Sequence, residues 1–191
     1  MAVIQSAFTG VPLAWQGSDN GWLGANADPL AMVNTTVLTA GTVYLAKLPL
    51  RSSQTITNLW WGLSAGGSGA STGSFTGLYS PAGTLLASSA DIGALFTGGN
   101  NAIQCPLSAP LLVAGGAGPA AWPWAAIVFN LATTQPTLIR GTGNLGPVNG
   151  NLTAANFRIA VNGTLQTSLP ASITPASNTT TGASSLWAAW N

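Results

Sequence analysis

Turn-forming residues interrupt this chain so often that a long helix cannot be written into it. Gly, Pro, Asn and Ser cluster between short β-prone runs at intervals of roughly 8–12 residues, the rhythm of a sandwich or barrel rather than of alternating strand and helix. Glutamate is absent and Lys47 is the sole lysine, so the straight-chain charged residues that usually fill helix surfaces are missing. The expected fold is all-β, a jelly-roll-like antiparallel β-sandwich of about eight to ten strands.

The strands can be read in order. Residues 35–50 give two β-rich pieces separated by Ala40-Gly41. In the second, alternation puts Val43, Leu45 and Lys47 on one face and Tyr44, Ala46 and Leu48 on the other. Residues 54–63 alternate Ile56, Asn58 and Trp60 against Thr55, Thr57, Leu59 and Trp61. The Gly/Ser stretch SAGGSGASTGS then reads as a flexible loop, of the length that is functional or mobile in compact domains. Residues 75–91 form the clearest hairpin, with Ser80-Pro81-Ala82-Gly83 placed as a tight turn requires. IGALF fits a single helical turn. Further strands are expected at 102–107, 111–113, 124–131, 136–140, 157–161 and 186–190.

The first 33 residues differ. Turn formers come at short intervals, Trp15 and Trp22 are present, and no period of 2 or 3.6 persists. The expected organisation is an N-terminal arm or docking segment at 1–33 and a sandwich domain at 34–191. An irregular first hairpin of the same domain is the other reading of that segment.

Seven ionisable side chains are spread over 191 residues: Lys47, Arg51, Arg140 and Arg158 against Asp19, Asp28 and Asp91, with no histidine. A formal net charge of +1 leaves no basic footprint for a phosphate backbone, so no nucleic-acid partner is expected. With 47% apolar residues the chain can fold, but a neutral, apolar exterior keeps a protein monomeric poorly. Much of the outer face is therefore expected to be buried against copies of itself or a partner. The most apolar window, 102–131, holds Pro106, Pro110, Pro119, Pro123 and Gly115-Gly116, which are hostile to a membrane-spanning helix. The opening MAVIQSAFTG lacks the positive region of a signal peptide, so cytoplasmic synthesis without a secretory leader is expected.

Catalytic chemistry finds no footing. A serine nucleophile lacks a histidine base, and three aspartates are few for a carboxylate pair. Zinc would need Cys/His clusters and calcium several acidic oxygens in a short loop. Asp19, Asn20 and Asp28 read as turn residues bonding to nearby backbone. No enzyme activity, cofactor or metal is expected. The lone Cys105 reads as a small apolar strand residue, since nothing nearby would favour its thiolate. Asn34, Asn151, Asn162 and Asn178 match the N-glycosylation pattern, which arises readily by chance in a chain this rich in Asn and Thr.

Tryptophan is the one resource for binding. Trp15, Trp22, Trp60, Trp61, Trp122, Trp124, Trp187 and Trp190 are candidates for subunit interfaces or for stacking on glycan rings. Trp60 and Trp61 must face opposite sides of one strand. Trp122 and Trp124 share a side of an extended segment.

Four pieces, LYSPAGTLLASSAD, a run ending LIRG, NLTAANFRIAVNG and TSLPASITPASNTTTGASSLWAAW, carry a resemblance. They are similar to the terminal domain of minor tail and other virion structural proteins of actinobacterial phages, a likeness that spans roughly 43–190. The resemblance implies a β-sandwich module on heads or tails, often trimeric, with no catalytic residues to carry over. The chain departs from that pattern in its first 33 residues and in lacking a long upstream tail-protein region. The expected role is a non-enzymatic surface structural protein of the virion, either capsid decoration or tail fibre or tip. It would assemble as a homotrimer with other virion proteins as partners. The alternative is a module binding host cell-wall glycans.

Overall fold

The computed structural model describes residues 17–141 and 145–191. Among them, eleven strands form two antiparallel sheets packed face to face, the sandwich that the turn spacing predicts. One sheet holds β1 (Gly24–Ala25), β2 (Asn34–Val37), β4 (Gln54–Ala65), β7 (Gly99–Val113), β9 (Thr137–Arg140) and β11 (Ala188–Trp190). The other runs β10 (Ile159–Val161), β3 (Tyr44–Lys47), β8 (Trp124–Val128), β5 (Phe75–Tyr79) and β6 (Leu85–Ser88). The α-helix α1 (Leu145–Asn149) is a single short turn. Only β5 and β6 are both consecutive and paired, so the strands shuttle between sheets as in jelly rolls.

β4 is the spine of the six-stranded sheet. One of its edges pairs with β7, and the other is shared by β11 at residues 59–61 and by β9 at Leu63 and Ala65. A bulge lies between Ile56 and Asn58, where the Asn191 carbonyl accepts hydrogen bonds from Thr57 N (2.6 Å) and Asn58 N (2.9 Å). Strict alternation put Ile56 on the face opposite Leu59 and Trp61. The bulge inserts a residue, so Ile56, Leu59, Trp61 and Leu63 all enter the core together. The runs expected at 102–107 and 111–113 are one strand, β7, whose Pro106 and Pro110 are tolerated because its far edge carries little pairing.

Alternation in β3 holds as read: Tyr44 and Leu48 face the space between the sheets, while Val43 and Leu45 face the opposite side. That opposite side is also buried. The irregular segment 162–178 crosses it and sets Leu169 and Ile173 onto Val43, Leu45, Tyr79, Trp124, Ala126, Val128 and Ala160. The segment is tied down by Leu85 N to Ala171 O (2.9 Å) and Ile173 N to Gly83 O (2.8 Å). The five-stranded sheet is therefore covered on both faces, which explains why β3, β8 and β10 are apolar at successive positions.

One expectation on connections changes. The Gly/Ser stretch at 64–74 is fastened, not free: Gly67 N donates to Phe96 O, Ser68 N to Thr134 O, and Thr72 N to Asn130 O. Its glycines permit this closeness, since a Cβ on Gly66 would lie 2.2 Å from the Gly98 carbonyl. The described part of the expected arm docks on the sandwich. β1 pairs with β11, and Asn26 bonds the backbone of Leu186 and Ala188. Residues 1–16 lie outside the described residues. IGALF does form a helical turn, at Gly93–Phe96.

Candidate interaction surface

The tryptophans are mostly interior. Trp61 and Trp190 lie between the sheets, and Trp61 has no exposed surface. Trp124, also fully buried, lies beneath segment 162–178. Trp122 is 6% exposed and donates from Nε1 to Gly116 O at 2.9 Å. These four, placed among the interface or glycan-stacking candidates, are consumed by the chain's own packing. For Trp124 the reason is the extra layer: segment 162–178 gives the five-stranded sheet a second buried face for large side chains to fill. Trp15 lies outside the described residues.

A separate aromatic cluster occupies the outer face of the six-stranded sheet. Trp22 packs on Trp187 with centroids 4.8 Å apart and on Trp60 at 5.9 Å, both tilted. Trp187 Nε1 donates to Ala27 O (3.1 Å) and Trp60 Nε1 to Asn191 Oδ1 (3.2 Å). Trp60 is only half-buried, as the opposite facing of Trp60 and Trp61 predicts. Beside this cluster is a groove of about 350 Å³ with Trp22, Met32, Gly62, Ile139 and Trp187 as apolar lining and Asn100 and Asn101 as polar lining. No charged side chain lines it.

Three exposed apolar residues lie at one sheet edge, while Leu23, Leu86, Leu95, Leu112 and Leu165 are exposed elsewhere. β2 ends its sheet and carries Val37 (63% exposed), with Val33 (72%) just ahead of it and Leu30 (78%) in the preceding Pro29–Ala31 turn. Arg140 Nε donates to Thr35 O (3.0 Å) on this strand. The sequence does not reveal this group because Leu30 and Val33 fall in the irregular first 33 residues, where no period assigns a face.

The few charges have local work. Asp28 Oδ1 caps the Pro29–Ala31 turn by accepting from Leu30 N (2.8 Å), the turn role expected of it. Asp91 accepts from Ser71 Oγ and Gly93 N, each at 2.8 Å, and so pins the Gly/Ser stretch. Lys47 is 3% exposed; its Nζ donates to Trp122 O (2.8 Å) and lies 4.0 Å from the Trp124 ring centroid. Burial holds its ammonium down to about 8. Cys105 is buried in β7, and burial pushes its thiol up to about 12, so it packs as a small apolar residue. No group of three or more His, Cys, Asp or Glu side chains suited to a metal occurs among the described residues, and no described helix is long and apolar enough to cross a membrane.

A scan against protein-family models found no match, and a search of curated proteins found none either.

Proposed function

We propose that this chain is a non-enzymatic structural protein of a phage particle's surface, decorating the capsid or forming a tail fibre or tip, and that it works as a homo-oligomer. The observation that carries the reading is the exposed apolar group at the edge strand β2, with Val37 on the strand and Leu30 and Val33 just ahead of it. Exposed apolar residues on a sheet edge are an association surface, and with few charges nearby little opposes a second copy. Apolar burial there would contribute about 25 cal/mol per Å². The virion assignment rests on the likeness of residues 43–190 to phage structural domains.

Mass photometry of the purified chain tests the assembly. A trimer that dissociates on the double substitution Val33→Lys, Val37→Lys supports it, and a stable monomer at working concentration overturns it. Imaging of labelled virions tests the location.

A second reading, binding of host cell-wall glycan, is favoured by the groove beside Trp22 and Trp187. Its uncharged lining, which includes Trp22, Trp187, Asn100 and Asn101, suits a neutral sugar. Pull-down on host cell walls that survives Asn100→Ala and Asn101→Ala would remove this groove as the site.

A further inference from the structure

Three Asn-Gly steps occur in the described chain: Asn20-Gly21, Asn149-Gly150 and Asn162-Gly163. In such a step the following backbone nitrogen can reach the amide carbon because glycine has no Cβ to hinder the approach. Whether it does so depends on how firmly the fold holds that amide.

Two of the three are locked. Asn149 is 6% exposed, donates from Nδ2 to Ile159 O (2.8 Å), and accepts at Oδ1 from Arg158 N (2.8 Å) and Ile159 N (3.3 Å). This side chain replaces a missing backbone partner between α1 and β10, so turning it out would open that junction. Asn162 donates from Nδ2 to Thr174 O (2.9 Å) and Asn178 Oδ1 (2.8 Å), which fastens the start of segment 162–178. Asn20 is exposed and its amide has no hydrogen bond among the described residues. Gly21 follows it at φ 73°, with nothing within 4 Å of the position a Cβ would take, and its N–H makes one bond, to Ser18 O at 3.0 Å.

We propose that Asn20-Gly21 is a self-modification site, where the amide converts spontaneously to a carboxylate while Asn149 and Asn162 persist. The Gly21 nitrogen loses its proton and bonds to Asn20 Cγ. The Cγ–Nδ2 bond breaks and ammonia leaves with that proton, giving a cyclic imide. Water then opens the ring at either carbonyl, yielding aspartate or isoaspartate with no change of oxidation state. In most proteins one added carboxylate is a minor event. Here it takes the formal net charge from +1 to zero, on a chain with three acidic residues to begin with. It also falls just ahead of β1, where Asn191 Nδ2 donates to Gly21 O (3.3 Å) and Leu23 N to Trp190 O (2.8 Å).

The test incubates the full chain in mildly alkaline buffer, native and in denaturant, and follows each site by peptide mapping with isoaspartate detection. In the native protein Asn20 should convert at least about tenfold faster than Asn149 or Asn162, with the three rates converging once the fold is removed. Ion exchange should resolve the acidic form, and Asn20→Gln should abolish it. Equal native rates at the three sites overturn the proposal. So does an Asn20 that stays amidated in the fold while the denatured chain converts.

Discussion

Trp61 Nε1 donates a 2.9 Å hydrogen bond to Thr76 Oγ1, joining β4 of one sheet to β5 of the other inside the core. Thr76 Oγ1 in turn donates to Ala126 O at 2.7 Å, so one hydroxyl satisfies an indole and a carbonyl where no water reaches. Thr76→Val keeps the shape and leaves the indole N–H buried without a partner. The expected loss is about 1–3 kcal/mol by denaturant melts. Thr76→Ser, which keeps the hydroxyl, should recover most of it.

Gly83 serves two constraints at once. Its φ of 94° suits the turn between β5 and β6, and a Cβ there would lie 2.2 Å from the Ile173 carbonyl. Gly83→Ala should cost roughly 2 kcal/mol or more, since both strain and a backbone clash apply. Hydrogen exchange should rise first at Ile173, whose N–H is held by Gly83 O.

Lys47 and Cys105 set opposite slopes in alkaline buffer. The folded chain releases the Lys47 proton from pH about 8, whereas the unfolded chain holds it to about 10.5. The unfolded state then binds more protons, so stability rises with pH above 8. Cys105 ionises near 9.0 when unfolded but only near 12 when folded, so above pH 9 the thiol lowers stability. Melting temperature should climb between pH 8 and 9 and then level or fall. Lys47→Met should flatten the climb, and Cys105→Ala should extend it.

Asp91 holds the Gly/Ser stretch through Ser71 Oγ, Gly93 N and Ser74 N. Asp91→Ala should speed amide exchange at Ser74 and Gly93 well before it affects β4 or β8. Unchanged exchange at those amides would mean the backbone bonds from Gly67, Ser68 and Thr72 are sufficient alone.

Local pattern made much of the fold legible. The 75–91 hairpin, the β3 alternation, the turn at Gly93–Phe96 and the opposed facing of Trp60 and Trp61 all follow from neighbouring residues. The placement of Ile56 did not, because a bulge is set by what the partner strands offer, here the Asn191 carbonyl. The groove was also illegible, since Trp22, Asn101 and Trp187 come from three distant parts of the chain.

By itself the sequence determined that this chain is an all-β sandwich with few charges and a large stock of tryptophan. Turn spacing and side-chain chemistry are local and additive, so they can be read along the chain. The tertiary structure decided which tryptophans are spent. Segment 162–178 folds back over the five-stranded sheet and buries Trp124, while β2 is left at an edge with Leu30, Val33 and Val37 in solvent. Burial depends on which distant segment covers a face, and that is a property of topology rather than of any run of residues.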